Sequence, residues 1–368
     1  MNILHVTFMF PTQEKPLEGV AIENIVRGIK KALPESRHTV LHTENETPED
    51  MVGTEKEGYI YYNVHLPASY KVYQYFSSNK ISVLLEKGKF DLIHFHNVFP
   101  GSLLLADHIK KHKTPYLITF RGSCTRALKY MYRKKLTAEL IRNASAYTFL
   151  SDYYFQSISL TLAKQGVSLG KDKTRFIPNF KNETWGFGRD DMHGVSTGQI
   201  KIITLANIEK RKNLVNTLKA IQLLKEKYDI EYSIYGQIYD ADEFNAMQPL
   251  LGAKIRYFLA QPNEDIKELI DKSHILLLAS HAETFGMAYM ESILRHRPIV
   301  YGKNAGITTF IKDMLCGEPI EDVNSPQSIS AALEHCIKHY DEYNFSGSER
   351  FLESAVIEQW VKLYDKLT

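Results

Sequence analysis

The stretch SHAETFGMAYMESIL, residues 280–294, joins a run of apolar residues to the start of a predicted helix. The preceding ILLLAS predicts a buried strand, and the helix is expected to begin near Phe285 or Gly286. A glycine there lets a bulky group approach the backbone, and the free N–H groups of a helix start attract anions. The stretch therefore predicts a phosphate site at the end of a strand in an α/β sheet.

Two glutamates, Glu283 and Glu291, flank this helix start and allow two interpretations. At about 1.5 Å per residue, Glu291 lies about 7–8 Å along the helix, a distance that separates a diphosphate from the ribose of one nucleotide. Alternatively, Glu283 only complements the helix dipole, which contributes ~0.3–1 kcal/mol, and Glu291 is a solvated helix residue. The spacing alone leaves both interpretations open.

Outward from this stretch, strand-like runs alternate with helix-like runs along almost the whole chain. The alternation predicts parallel sheets with helices on both faces. A polar, aperiodic stretch at residues 179–199 interrupts it and is interpreted as a linker. With 368 residues, the chain also exceeds the usual size of one core. We expect two Rossmann-like doubly wound α/β domains, residues 1–180 and 196–348, facing across a cleft that holds the site.

One early segment departs from the alternation. TVLHTE and GYIYYNV, which begin at residues 39 and 58, are both strand-like and have no long helix between them. They predict an insertion or a local antiparallel pair.

The composition restricts the class of protein. Apolar residues make up 44% of the chain and charged residues 24%, which is typical of globular proteins. The net charge of +2 is too small to imply nucleic acid as an obligatory partner. Three scattered cysteines favour a reducing compartment, and the chain has neither a signal-peptide pattern nor an apolar run of membrane-spanning length. These features predict a cytoplasmic protein.

The segment ETFGMAYMESILRHRPIVYGKNAGI resembles the E-x7-E signature of retaining glycosyltransferases of the GT-B fold, family 4. Weaker resemblances follow the family's order along nearly the whole chain: MNILHVTFMFP with Gly19, DLIHFHNVFPGSLL, FIPNF and ANIEKRKNL. The last helix, residues 349–368, resembles the one that family members fold back onto the first domain. The glutamate segment is fairly specific, whereas the other segments gain weight from their order.

The resemblance implies roles for residues on the donor side. Glu291 would hold the ribose hydroxyls, and Glu283 would contact the transferred sugar near the reacting carbon. Lys212 would neutralise the departing diphosphate, because leaving-group charge must be stabilised as the sugar becomes oxocarbenium-like. Backbone N–H groups would bind the donor phosphates at Phe285, Gly286 and Met287. Taken alone, Lys212 is more simply a surface lysine.

This sequence departs from the family pattern at the phosphate loop. Asn207 stands where the family usually has an arginine, and Ala206 where it has a glycine. Arg211, beside Lys212, is a candidate for the missing charge. The departure puts donor affinity and donor identity in doubt.

On the acceptor side, His96 matches the family histidine at the edge of the first domain. Gly19 is expected near the diphosphate. The alternative interpretation is that this glycine only allows a simple turn. Arg121 in TFRGS stands where many members have a histidine, and an arginine there suits bidentate binding of a phosphate. A lone histidine at a strand end is more often structural, so only the resemblance favours a catalytic His96.

Residues 108–138 form a basic segment with nine Lys or Arg and no Asp or Glu. Within it, Arg121 and Arg126 are candidates for binding an acceptor or a phosphate. A patch of one sign suits an anionic membrane surface or a lipid-linked pyrophosphate, and a solvated charged face is the equally weighted alternative. The nearby residues 69–89 predict an amphipathic helix.

Two metal- or phosphate-like motifs are rejected. The aspartates of DAD, Asp240 to Asp242, precede a helix, where aspartate is a good N-cap, so they are not interpreted as a metal site. GVSLGKDKT is one residue short of a P-loop and follows a helix instead of a strand.

The sequence therefore predicts a metal-independent retaining hexosyltransferase, EC 2.4, with Glu283 and His96 at the reacting sugar. Its donor would be a UDP- or GDP-sugar and its acceptor a glycan or lipid-linked molecule in surface polysaccharide or glycolipid biosynthesis. No cofactor, metal or nucleic acid is expected, and the protein would be cytoplasmic or peripheral at the inner face of the membrane. Two alternatives remain: a non-catalytic nucleotide-sugar-binding protein, which Asn207 favours, and a GT-B-like nucleotide-sugar epimerase.

Overall fold

The computed structural model describes residues 1–12, 15, 18–44, 53–56, 59–65, 89–98, 100–122, 124, 128, 134–186 and 198–368. The chain divides into two compact units. The first unit comprises Met1–Ile177 and Val356–Thr368, and the second comprises Pro178–Ala355. Each unit contains one sheet with helices, as the alternating pattern predicts.

The sheet of the first unit has eight strands in the order β3-β4-β2-β1-β5-β6-β7-β8. The strands are β1 Asn2–Thr7, β2 Arg37–Glu44, β3 Gly53–Lys56, β4 Tyr59–His65, β5 Leu92–Phe95, β6 Tyr116–Phe120, β7 Ala146–Phe149 and β8 Thr174–Phe176. Its helices are α1 Val20–Ala32, α2 Ala106–His112, α3 Lys134–Asn143 and α4 Asp152–Ala163. The direction of winding reverses between β1 and β5, so this unit has a topological switch point there.

The early segment contains an additional short strand, β3, between its two strand-like runs. The strands β2 and β4 pair in parallel, with Thr39 opposite Ile60, so the antiparallel alternative for these two runs is wrong. The antiparallel pair is β3 with β4, in which Lys56 lies opposite Tyr59. Because the connection from β3 to β4 is very short, only an antiparallel hairpin fits there. After that hairpin, β4 runs in the same direction as β2.

The sheet of the second unit has six strands, all parallel, in the order β11-β10-β9-β12-β13-β14. The strands are β9 Ile200–Leu205, β10 Ile230–Tyr235, β11 Ile255–Phe258, β12 Ile275–Leu278, β13 Ile299–Gly302 and β14 Gly317–Ile320. Its helices are α5 Leu214–Leu224, α6 Ala241–Met247, α7 Asn263–Asp271, α8 Met287–Leu294 and α9 Pro326–Lys338. Here the winding reverses between β9 and β12.

Central strands of both sheets are apolar because helices cover both of their faces. All four residues of β12 are buried, and so are all four of β5. The second unit begins at Pro178, one residue before the stretch interpreted as a linker. Lys181 N donates to Phe351 O at 3.1 Å and Glu353 N donates to Lys181 O at 2.8 Å, so this part of the stretch is packed. Residues 187–197 of the stretch lie outside the described residues.

The last helix, α10, spans Glu353–Leu367. It begins four residues later than the sequence predicts, because Ser348–Phe351 forms a 3₁₀ turn. Val356 onward belongs to the first unit, where Trp360 and Tyr364 are buried. Of the helices in the described ranges, none has both the length and the hydropathy needed to cross a bilayer. The amphipathic helix predicted at residues 69–89 lies almost wholly outside those ranges.

Candidate active site

The strands β9 and β12 are neighbours at the switch point of the second sheet. In parallel α/β sheets, ligands bind beyond the carboxyl ends of the strands at such a point. Arg211 and Lys212 lie in the loop after β9, and Glu283 lies in the loop after β12. The topology therefore brings together three of the residues that the sequence singles out.

Glu283 is buried, at 8% exposure, and is held by several polar groups. Its Oε1 accepts a hydrogen bond from Lys212 Nζ, and Arg211 Nη1 lies 3.3 Å from the same oxygen. Ser280 Oγ donates to Oε1 at 3.3 Å. Arg211 is anchored in turn by Glu209, whose Oε1 lies 2.6 Å from Nη2. Two cations and two carboxylates thus form a compact, balanced cluster.

The loop that carries Glu283 is fixed through its backbone. His281 N donates to Arg211 O at 2.9 Å, which ties the loop after β12 to the loop after β9. Gly306 N donates to Glu283 O at 3.0 Å. A Cβ on Gly306 would lie 2.1 Å from Thr284 O, so only glycine allows this close approach. The Glu283 side chain is therefore presented from a rigid position.

The helix α8 begins at Met287, with Gly286 as its N-cap, so the predicted start is confirmed. Gly286 has φ +92°, a conformation that favours glycine. The Gly286 carbonyl accepts bonds from Tyr289 N and Met290 N, whereas the earliest N–H groups of a helix have no partner within it. The backbone at the start of α8 is therefore free of helical partners, and its role in binding the donor phosphates stays a prediction.

The side chains around this helix start have different environments. Phe285 is buried, with ring centroids 5.8 Å from Phe310 and 6.3 Å from Phe351. Met287 is partly buried. The Phe285 side chain thus has a packing role, and the assignment of its backbone to a phosphate stays a prediction.

Glu291 faces a partner that the sequence does not indicate. It is buried, and its Oε1 lies 2.7 Å from Lys181 Nζ, which also sits 4.3 Å from the centroid of the Trp185 ring. Glu291 is therefore not a solvated helix residue, so that interpretation is wrong. The one signal for Lys181 is its place directly after FIPNF, the segment that resembles the family's domain crossing.

Asn207 is exposed, and its Oδ1 accepts a bond from Gln237 N at 3.3 Å. It therefore links the loops after β9 and β10 and supplies no charge. Arg211 contributes a guanidinium to the Glu283 cluster, and its role as the charge that replaces the family arginine stays a prediction.

The rejected DAD motif behaves as an N-cap. Asp240 Oδ1 accepts from Glu243 N at 3.1 Å at the start of α6, and Asp242 lies in the first turn. The prediction of a capping role for this motif is confirmed.

In the first unit, His96 follows β5 at the switch point and is fully buried. Its Nε2 lies 3.0 Å from His5 Nδ1, and His5 Nε2 lies 3.0 Å from His38 Nδ1. The ring centroids of His96 and His94 are stacked at 3.7 Å. Burial holds the pKa of His96 well below its ordinary value, and the rings of His94 and His5 lower it further. At neutral pH His96 is therefore an uncharged imidazole.

His5, His94 and His96 are close enough to be tested as metal ligands, because one nitrogen of each lies within 4.8 Å of the others. His94 Nδ1 bonds to Tyr364 OH at 2.6 Å, and its Nε2 bonds to Thr119 Oγ1 at 2.7 Å. Both nitrogens of His5 are also occupied. Hydrogen bonds to side chains thus use five of the six ring nitrogens, a pattern that does not fit a metal centre.

Arg121 follows β6, the neighbour of β5. Its Nε and Nη2 atoms are buried and have no hydrogen-bond partner within the described residues, and the same holds for His96 Nδ1. Arg121 also contributes to the lowered pKa of His96. His96 and Arg121 therefore share a neighbourhood. Arg126 lies outside the described residues.

Gly19 is the N-cap of α1, with φ +74°. A Cβ there would lie 2.4 Å from Met9 O, so the fold itself requires glycine at this position. The diphosphate role of Gly19 stays a prediction.

Comparisons with known families match both halves of the chain. Residues 22–180 match the model described as Glycosyltransferase Family 4, and residues 190–346 match the model described as Glycosyl transferases group 1. The order of the two matches follows the two sheets. The chain belongs to the family 4, or group 1, glycosyltransferases of the GT-B fold, so the predicted fold class is confirmed.

Individual relatives are distant. An uncharacterized 41.2 kDa protein in the cps region of Klebsiella pneumoniae is 22% identical, with 76% of this chain and 80% of that protein covered. The N-acetyl-α-D-glucosaminyl L-malate synthase of Bacillus anthracis is 21% identical, with 83% and 84% covered. The crystal structure of Anabaena Alr3699/HepE in complex with UDP has a TM-score of 0.70 at 14% identity, with both chains fully covered. The solved structure shows that the two chains share a fold.

Proposed function

We propose that this glycosyltransferase moves a sugar, with retention of anomeric configuration, from a nucleoside diphosphate donor to a hydroxyl of a glycan or lipid-linked acceptor. The observation that carries the proposal is the Lys212–Glu283 pair at the switch point of the second sheet, beside the start of α8. A UDP complex of the Anabaena neighbour supports a nucleotide-sugar donor.

The chemistry assigns each group a task. The bond between the anomeric carbon and the diphosphate oxygen breaks, and its electron pair leaves with the nucleoside diphosphate. Lys212 and the backbone of residues 285–287 stabilise that charge, since donors aimed at developing charge contribute about 3–4 kcal/mol each. The acceptor hydroxyl forms the new bond to the anomeric carbon on the face that the diphosphate leaves, and its proton passes to the departing diphosphate oxygen.

Glu283 has a second task in this proposal. In the absence of donor it neutralises Lys212 and keeps that side chain in place. When a diphosphate takes over Lys212, the carboxylate becomes available to accept hydrogen bonds from sugar hydroxyls. Glu291 would contact the ribose hydroxyls from within α8 while Lys181 compensates its charge.

In the first unit, His96 and Arg121 would serve the acceptor. His96 is an uncharged imidazole at the end of β5, suited to a hydrogen bond with a hydroxyl. The charge stabilisation assigned to Lys212 and to the helix start needs no metal ion, so we propose a metal-independent reaction. A hexose is the proposed sugar, and a UDP- or GDP-sugar the proposed donor.

The pathway proposed is surface polysaccharide or glycolipid biosynthesis. The relative in the Klebsiella cps region supports it. We place the protein in the cytoplasm, peripheral at the inner face of the membrane. Within the basic segment, the described side chains of Lys110, Lys111 and Lys113 are exposed and can meet an anionic surface.

The test is a panel of UDP-, GDP- and ADP-sugars. The melting temperature would identify a donor that binds, and slow hydrolysis of that donor in the presence of EDTA would establish metal-independent chemistry. The variants Lys212→Ala and Glu283→Ala should lose hydrolysis, and Lys210→Ala, which changes an exposed lysine of the same turn, should keep it. If a donor binds and all four proteins leave it intact, the binding-protein alternative replaces this proposal.

A further inference from the structure

The guanidinium of Arg121 has a bonding pattern that calls for a ligand. The two atoms without partners among the described residues, Nε and Nη2, form one edge of the guanidinium. Their N–H bonds run parallel and match the two oxygens of a carboxylate or phosphate. The unfilled edge is the one that binds an oxyanion side-on.

Charge leads to the same conclusion. Burial lowers the pKa of Arg121 to about 10, so the side chain remains a cation at neutral pH. The one neighbour that raises this pKa is Cys124, a buried thiol. No salt bridge joins Arg121 to an acid in the described part of the chain, and residues 108–138 contain no Asp or Glu at all. A buried cation without a counter-ion is costly, so the fold gains when an anion binds.

The position of Arg121 bears on whether an anion from solvent can reach its side chain. The residue as a whole is only partly buried, although its Nε and Nη2 atoms are buried, so the guanidinium lies just below the surface. Arg121 O accepts a bond from Tyr154 OH, and Arg121 N lies 3.4 Å from Cys124 Sγ, so the backbone stays in place. His96 Nδ1 lies in the same neighbourhood and can accept a bond from a hydroxyl next to the oxyanion.

We propose that Arg121 binds an oxyanion, a phosphate or a carboxylate, carried by the acceptor. This inference rests on the proposed function, which requires an acceptor. It adds the chemical class to which that acceptor belongs. The acceptor would carry its oxyanion near the hydroxyl that is glycosylated.

The test measures anion binding without donor or turnover. Wild type, Arg121→Lys, Arg121→Gln and Arg142→Gln would be titrated with inorganic phosphate and separately with acetate, at constant ionic strength, by calorimetry and thermal shift. Arg142 is an exposed arginine of the same unit, so its variant removes an equal charge elsewhere. The titrations would be repeated with saturating UDP.

Wild type and Arg142→Gln should bind one of the two anions. Phosphate binding would indicate a phosphorylated acceptor, and acetate binding a carboxylate-bearing one. Arg121→Lys, which keeps the charge and loses the fork, should weaken binding at least tenfold, and Arg121→Gln should abolish it. The proposal is overturned if all four proteins respond alike, if none responds, or if UDP cancels the anion effect. The affinity for UDP is measured separately, and that measurement tests the proposed function.

A second and independent observation concerns the tautomer of His96. Ser36 Oγ lies 2.5 Å from Leu33 O, and a carbonyl can only accept, so the hydroxyl proton points there. Ser36 Oγ must then accept from His38 Nε2, at 2.6 Å. A neutral His38 protonated on Nε2 has a bare Nδ1, which accepts from His5 Nε2.

The same reasoning applies to the next two imidazole rings, those of His5 and His96. A neutral His5 protonated on Nε2 has a bare Nδ1, which accepts from His96 Nε2. His96 is then left with a bare Nδ1, the atom without a partner among the described residues. We infer that Ser36, His38 and His5 are positioning residues that keep His96 Nδ1 as a hydrogen-bond acceptor.

Nitrogen NMR of protein labelled in histidine tests this inference directly. The His96 signals would be assigned by comparison with His96→Gln. Wild type and His5→Asn, whose amide oxygen can replace His5 Nδ1, should show His96 protonated on Nε2. His5→Phe, which offers no acceptor, should show a mixture of tautomers and a lower kcat with an unchanged KM for the donor. Wild-type His96 protonated on Nδ1, or unaltered signals in His5→Phe, would overturn the inference.

Discussion

Lys212 and Glu283 lie 71 positions apart in the sequence, and Lys212 Nζ donates a hydrogen bond to Glu283 Oε1. The pair forms because β9 and β12 are neighbouring parallel strands, so the loops that follow them leave the sheet at the same edge. Each side chain neutralises the other, and the proposed diphosphate would compete for the lysine. The pair therefore connects the loop proposed to bind the donor phosphates with the carboxylate proposed to bind the sugar.

A double-mutant cycle should expose this coupling. Lys212→Met is expected to lower donor hydrolysis about 10²–10³-fold, the effect of removing one charge-stabilising donor. Glu283→Gln is expected to lower it through the sugar contact. Because each single change also breaks the bond between the two side chains, the double variant should lose less than the sum of the two. Hydrolysis rates measure the cycle, Lys210→Met serves as control, and strict additivity would contradict the coupling.

The sequence predicted the start of α8 because the signals are local. An apolar strand, a loop and a glycine at the first turn place the predicted helix start within two residues of Met287, where the helix begins. The same local logic identified Asp240 as an N-cap. The alternation of strands and helices predicted both sheets for the same reason, since each period is set by neighbouring residues.

The sequence does not predict contacts that depend on the order of strands in the sheet. His5 lies opposite His94 only because β1 and β5 are neighbours, and His38 joins them only through the pairing of β1 with β2. The Lys181–Glu291 pair likewise joins the segment before β9 to a helix more than 100 positions later. Nothing in the spacing of these residues indicates which strands or segments lie side by side.

Lys181→Met should destabilise the second unit. It leaves Glu291 buried and unpaired, and removing one partner of a buried pair costs about 3 kcal/mol or more. The urea midpoint measures the loss. Lys303→Met is the matched control, because its ion pair with Glu321 is exposed and contributes about 0–1 kcal/mol.

The reason for the loss has its own test. Adding Glu291→Gln to Lys181→Met removes the unpaired charge and should restore much of the stability. If the double variant is as unstable as Lys181→Met, the loss comes from the packing of the lysine against Trp185 instead.

Stability should fall in mild acid because of the buried histidines. Burial lowers the pKa of His38 to about 4, and it holds the pKa of His5 and His94 well below their ordinary values. Between those values and about 6.5, the unfolded chain binds more protons, so the free energy of unfolding rises with pH. The stabilisation is full above pH 6.5 and is lost toward pH 4. For His38 alone, at about 1.4 kcal/mol per pH unit, the loss is on the order of 3 kcal/mol.

The measurement is urea unfolding between pH 4 and 7.5. His38→Gln, which keeps a polar side chain and cannot titrate, should show a shallower pH dependence than wild type. The exposed His112→Gln should follow wild type. Taking differences between variants cancels the contribution of His274 in the second unit, whose pKa burial also lowers to about 4. Parallel curves for wild type and His38→Gln would contradict the prediction.

Gly286→Ala should damage the helix start that is proposed to bind the donor phosphates. A residue with a Cβ at φ +92° costs about 1–2 kcal/mol, and here the Cβ would also lie 2.3 Å from Cδ2 of Tyr289. Tyr289 is buried and donates from its hydroxyl to Leu278 O at 2.5 Å, so it has little room to move. Gly166→Ala is the matched control, because Gly166 has φ +72° and open space around the added Cβ. Gly286→Ala should therefore lower the urea midpoint more than Gly166→Ala and alone weaken UDP binding, whereas equal effects of the two variants would show that only the backbone strain matters.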